Sequence, residues 1–136
     1  MRTNLSGAVA AVIVALEGIG VGALAIREII AMIAGDTAAI DSAIALLVLT
    51  VVGAIALIAF AVAIWRGQSW GRSGGIVAQL LILAVALGAV TGAYAQVGVG
   101  IALAVPALIA LVLLILAVRH AGRSRAAADG SDAAAH

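Results

Sequence analysis

The sequence predicts an all-α membrane protein, a four-helix up-down transmembrane bundle, and three observations carry that prediction. Of 136 residues, 66% are hydrophobic and 10% charged, a balance that a water-soluble domain of this length cannot hide, because small domains leave much of their area exposed. Apolar runs able to cross a hydrocarbon core, which takes ~20 residues at helical rise, recur four times along the chain. The arginines gather at the N-terminus, at the centre and near the C-terminus, three places that share one side of a four-span protein.

The spans are expected at about 8–34, 43–65, 75–95 and 99–118. The first is interrupted by Glu17, and the fourth holds Pro106, which membrane helices tolerate as a kink. No run shows a clear amphipathic stripe, as expected of helices that face lipid and neighbours together. Membrane strands would be about half as long and would alternate in polarity. Together the spans form one domain over residues 1–118, followed at 119–136 by a basic and then flexible cytoplasmic tail. His136 follows three alanines and reads as a tag remnant.

Short connections favour antiparallel neighbours. Gly35 reads as the residue that ends the first helix, with Asp41 or Ser42 as a cap for the second. Between the second and third spans, Trp65 to Gly75 reads as a glycine-punctuated loop. The third connection, Gln96 to Gly98, is very short.

Arg2, Arg66, Arg72, Arg119, Arg123 and Arg125 share one side, while Asp36 and Asp41 lie on the other with Arg27 as its sole basic residue. Positive residues near helix ends hold their side in the cytoplasm, so both termini are expected inside a bacterial cell membrane. Ala23, Leu24 and Ala25 match a signal-peptidase pattern after Arg2. Cleavage there would leave three spans with basic groups on both sides, so the first span is expected to stay.

Glu17 is the pointed feature. It lies about nine residues into the first span, roughly 13 Å deep at helical rise, where an unpaired carboxylate facing lipid costs a few kcal/mol or more. It is therefore expected to face the bundle or a wet cavity. One reading is a proton or cation site; the other is a protonated glutamate that hydrogen-bonds a neighbouring helix. Thr50 and Gln79 lie at comparable depth as candidate partners. Eleven residues further on, Glu28 returns to the same helix face at 100° per residue, so a polar stripe leading outward is conceivable. The blander expectation is that Arg27 and Glu28 both snorkel to the interface.

Gly18 with Gly22 and Gly88 with Gly92 stand at the small-residue spacing that lets helix backbones approach. In so alanine- and glycine-rich a chain that spacing is common by chance. A phosphate-cradling loop is excluded, since these glycines lie within spans. Trp65, Arg66, Trp70 and Arg72 combine rings and cations as in an interface belt, with anionic lipid headgroups or a cytoplasmic partner as a further reading.

Catalysis has little support. There is no cysteine, the serines lie in loops or tails, and His120 with Ser124 lacks an orienting carboxylate. Two histidines and scattered acids offer no dedicated metal site. No cofactor, metal or nucleic acid is expected, and the chain is read as no enzyme.

Two resemblances arise on these residues. Arg66-Gly67-Gln68-Ser69-Trp70-Gly71-Arg72, with Gln79-Leu80-Leu81 after it and Leu16-Glu17 before it, resembles small four-span integral membrane proteins common in actinobacteria. Their pattern there reads Arg-Gly-x-x-Trp-Ala-Arg and then Gln-Leu-Leu, so this chain departs at Gly71. That resemblance implies topology and no activity. The chain's seven basic residues are all arginine, and alanine, valine and glycine abound, as GC-rich codons would give. Glu17 alone carries a second likeness, to small multidrug resistance transporters, which implies a carboxylate that exchanges protons with cationic drugs among aromatic residues. Aromatics are 3% of this chain, and the arginine bias argues against the dual insertion of that family.

The expected function is thus a non-catalytic binding or accessory component, associating with itself or with a larger membrane complex through small-residue helix faces. The alternative is a small proton-coupled exporter using Glu17.

Overall fold

The computed structural model describes residues 5–36, 38–93 and 95–135. Arg2 and His136, both used in the reading above, lie outside the described residues. Among the described residues four helices follow in order: α1 Leu5–Ile33, α2 Ile40–Trp65, α3 Ser69–Thr91 and α4 Val97–Ala134. All four are long and apolar enough to cross a bilayer. Successive helices pack on one another, and α4 closes back on α1, which makes a four-helix bundle.

Glycine sets two of the turns. The N–H of Gly35 reaches Met32 O and that of Asp36 reaches Ala31 O, while Gly67 and Gln68 repeat the pattern on Ile64 O and Ala63 O. Both are the paired bonds of a left-handed helix stop, and Gly35 and Gly67 have φ of +78° and +74°. A side chain there would meet the left-handed penalty that glycine escapes.

The helix limits differ from the sequence reading in three places. α3 begins at Ser69, so the turn after α2 is only Arg66, Gly67 and Gln68. A helical glycine costs ~1 kcal/mol relative to alanine, which is why Gly71, Gly74 and Gly75 read as loop; close packing against α2 and α4 outweighs that cost. Asp41 and Ser42 are not the cap of α2, because Ala39 holds the N-cap position with no side-chain bond and Asp41 lies in the first turn. There its charge still complements the helix dipole. Beyond Val118, where a flexible tail was expected, α4 runs on to Ala134 and passes through Pro106 unbroken. Alanine and arginine, both strong helix formers, dominate that extension.

Packing is uneven along the bundle. Ala10, Ala11 and Val14 of α1, Leu57, Ala61 and Ile64 of α2, and Ala110 and Leu114 of α4 form one buried cluster. It lies towards the Trp65–Ser69 turn, where small residues bring backbones together. At Gly71 an added Cβ would collide with the Ala63 Cβ and stand 2.8 Å from the Ala63 carbonyl carbon and the Ile64 nitrogen. Residues 40–56 of α2, towards the other end, include none that is buried. Large side chains facing outward, such as Leu49, Ile55, Leu81 and Leu87, then have lipid as their natural solvent.

Candidate functional site

Among the described residues, one polar side chain is fully buried in the bundle, Gln79 on α3. Its amide Nε2 donates to Glu17 Oε2 on α1 at 2.5 Å, so the contact bridges two helices that are not neighbours in the ring. Side-chain length makes this reach feasible across a centre of alanines and glycines. Glu17 Oε1 and Gln79 Oε1 are buried without a partner. Both are acceptors left without a donor, on two side chains that already touch. Unmade bonds in hydrocarbon cost several kcal/mol per group.

Thr50, the other candidate partner, stands elsewhere. Its hydroxyl is 2.8 Å from Leu46 O and 3.4 Å from Glu28 Oε1. A hydroxyl has a single proton, so the shorter bond to the helix backbone leaves Glu28 the weaker share. Glu28 Oε2 is buried with no partner. Glu28 therefore turns inward instead of snorkelling, whereas Arg27 is exposed. The reason is rotation: adjacent residues stand ~100° apart about the helix axis, which turns Glu28 towards Thr50 on α2 and Arg27 outward. The eleven-residue spacing from Glu17 singles out Glu28 in the sequence, and its inward turn departs from the expectation that it snorkels.

Glu28 and Thr50 line an apolar cavity of about 840 Å³ between α2 and α3. Val21 and Leu24 of α1 and Leu57 of α2 contribute to its wall, and Phe60, Trp70 and Gly74 line its other end. Glu17 and Gln79 do not line it. The Phe60 and Trp70 rings meet edge to face, 5.9 Å between centroids, a favourable aromatic geometry. Trp70 Nε1 donates to Gln68 Oε1 at 3.0 Å, and Arg72 donates to Gly67 O at 3.1 Å. Trp65 and Arg66 are exposed beside them. The four residues thus sit at one bundle end, two of them fastened to the turn.

Of the glycines singled out for packing, Gly18 is tight against Leu57 and Ile58, with an added Cβ 2.8 Å from Ile58 Cδ1. Gly22 has ordinary contact with Ala54 at 4.0 Å, and Gly88 faces open space. Gly92 approaches only Gly88 O, at 2.7 Å, within its own helix end. The α3–α4 approach is made instead at Gly100, whose added Cβ would meet Val90 and stand 2.9 Å from Ala86 O. No spaced pair marks Gly100 in the sequence, so pattern alone passes it over.

Thr50→Val is expected to change stability by no more than ~0.5 kcal/mol, since it removes a long bond to Glu28 and a bond to Leu46 O, a carbonyl that lies within the α2 helical ladder. Thermal unfolding in detergent checks this; a loss several times larger would mean that Thr50 is Glu28's main support.

No protein-family model matches the chain, and no curated protein or solved structure is found similar to it. What the site does must therefore be argued from its own chemistry.

Proposed function

We propose that this chain is a non-catalytic integral protein of a bacterial cell membrane, of actinobacterial type, that serves as a binding or accessory component of a membrane assembly. Both termini lie in the cytoplasm, with the Trp65–Arg72 end at the cytoplasmic interface against anionic lipid headgroups. The observation that carries this reading is the Glu17–Gln79 contact. A carboxyl engaged by an internal amide, away from the cavity, suits a strut between helices better than a carboxylate that must meet substrate and solvent in turn. Self-association or capture by a larger complex uses the wide apolar exterior, where Gly88 leaves room for a close helix approach.

Two experiments test it. The native chain has no cysteine, so single reporters are clean: Asp36→Cys is expected to react with an impermeant maleimide on intact cells, and Ser131→Cys only after lysis. The reverse pattern overturns the orientation. Gentle solubilisation is expected to yield the chain with itself or with partner subunits, equally for wild type and Glu17→Gln. If Glu17→Gln assembles normally yet abolishes a substrate-dependent proton flux measured in proteoliposomes, the exporter reading replaces this one.

A further inference from the structure

α4 outlasts the bundle. An added Cβ at Gly75 would stand 3.1 Å from Leu114, and α3 begins at Ser69. In an antiparallel pair α4 therefore passes the end of α3 near His120 and runs ~21 Å further, to Ala134. That extension is exposed throughout except at Ala121, which is half-buried.

Its charges are sorted in two directions. Around the axis, Ala107, Ala110, Leu114 and Ala117 mark the side of α4 that is buried in the bundle. At 100° per residue, Arg119 and Arg123 stand about 160° from the middle of that side, so both point away from the bundle. Arg125, Asp129 and Asp132 stand within about 80° of it, turned beneath the other helices. Along the axis, the three arginines lie within ~10 Å of Val118, where the apolar run ends, and the two acids ~16 and ~21 Å beyond it. Fixed charge is screened over ~8 Å at physiological salt. An anionic surface at the end of the apolar run is thus felt by the arginines and hardly by the acids.

Arg119 and Arg123 have no hydrogen bond or ion pair among the described residues. Like charges four residues apart repel and weaken their own helix, so the chain itself gives this pair no support. On the same side, nearer the membrane centre, Leu108, Val112 and Leu116 are exposed. An apolar stripe that ends in two guanidinium groups matches a phospholipid in outline, acyl chains first and phosphate last. A second copy laid symmetrically along this stripe would set arginine against arginine.

We propose that the outward side of α4 is a binding site for an anionic phospholipid. Its acyl chains lie along Leu108, Val112 and Leu116, and its phosphate is held between Arg119 and Arg123. This goes beyond the headgroup contact at the Trp65–Arg72 end. It rests on that end being interfacial, and not on which side of the membrane it faces.

The native chain has no cysteine, so a bimane attached at Leu116→Cys reports on the lipid beside Arg119. The full chain is reconstituted in phosphatidylcholine nanodiscs with rising amounts of phosphatidylglycerol carrying brominated acyl chains. Brominated phosphatidylcholine is the reference quencher. Both leaflets hold the same mixture, so the direction of insertion does not enter, and the orientation proposed above can fail alone. At low salt phosphatidylglycerol is expected to bind about tenfold better than phosphatidylcholine. Arg119→Gln and Arg123→Gln together are expected to bring that ratio below about twofold, whereas Arg125→Gln should change it by less than about twofold. Glutamine is a good helix former, and circular dichroism checks that the variants keep their helix. No preference for phosphatidylglycerol, a preference untouched by the double substitution, or an equal loss in Arg125→Gln would each overturn the assignment. So would displacement by inorganic phosphate beyond that by chloride at equal ionic strength, which marks a site for the free ion.

Discussion

Gly71→Val is expected to be the most damaging single substitution in the bundle, lowering stability by ~2–3 kcal/mol, the upper part of what overpacking a tight contact costs. The obstacle is main chain as well as side chain. The Cβ of residue 71 would overlap the Ala63 Cβ and lie 2.8 Å from the Ala63 carbonyl carbon and the Ile64 nitrogen. Those atoms belong to the last turn of α2, where the helix stop at Gly67 fixes the path, so no rotamer change relieves the clash. Gly71→Ala is expected to lose somewhat less, about 1–2 kcal/mol, since it adds the clashing methyl without branches. Gly88→Ala is the control. It meets nothing within 4 Å, and helix propensity favours it, so a change within ~0.5 kcal/mol of wild type or a slight gain is expected. Reversible unfolding by dodecyl sulfate in mixed micelles gives the ranking. If position 71 tolerates alanine as readily as position 88, the close approach of α2 and α3 is wrong.

That same residue shows where sequence reasoning reached its limit. Gly71 reads as a loop residue in the sequence yet stands inside α3, where Ala63 occupies the space that a methyl at 71 would need. Nothing in the residues 65–75 alone could say so, since the constraint comes from two facing helix ends. The four spans were legible because lipid demands long uninterrupted apolar helices, whatever their neighbours. Gly35 was legible because a helix stop is local chemistry. Glu17 could be matched by depth to Thr50 and Gln79, but depth ignores rotation about the helix axis, and rotation is what turns Gln79 towards Glu17 and Thr50 towards Glu28. The helical course of residues 119–134 was hidden for a different reason: polarity marks the end of a span, not the end of a helix.

Glu17→Ala is expected to destabilise the bundle by about 1–2 kcal/mol, near the upper end for interhelical hydrogen bonds within membranes, which average ~0.6 kcal/mol and reach ~1.7. The upper end applies because the loss is not of one bond alone. Gln79 is fully buried, so removing the carboxyl strands an amide that can turn neither to water nor to lipid headgroups. Glu17→Gln should lose less than ~0.5 kcal/mol, because its amide oxygen still accepts from Gln79 Nε2 and its N–H groups offer a donor where Gln79 Oε1 has none. Gln79→Leu, which removes the stranded partner as well as the bond, should restore most of the stability lost in Glu17→Ala when the two are combined. A double-mutant cycle on Glu17 and Gln79 therefore isolates the coupling, expected at roughly 1 kcal/mol, from the cost of the orphaned group. A second arm separates a strut from a proton carrier. In a strut, Glu17→Gln is silent in every functional measurement and the coupling survives the substitution. Were Glu17 an exchanging acid, the amide would keep the fold and the coupling while proton movement ceased, and stability alone could not tell the two apart. The cycle and the flux assay must therefore be read on the same variants.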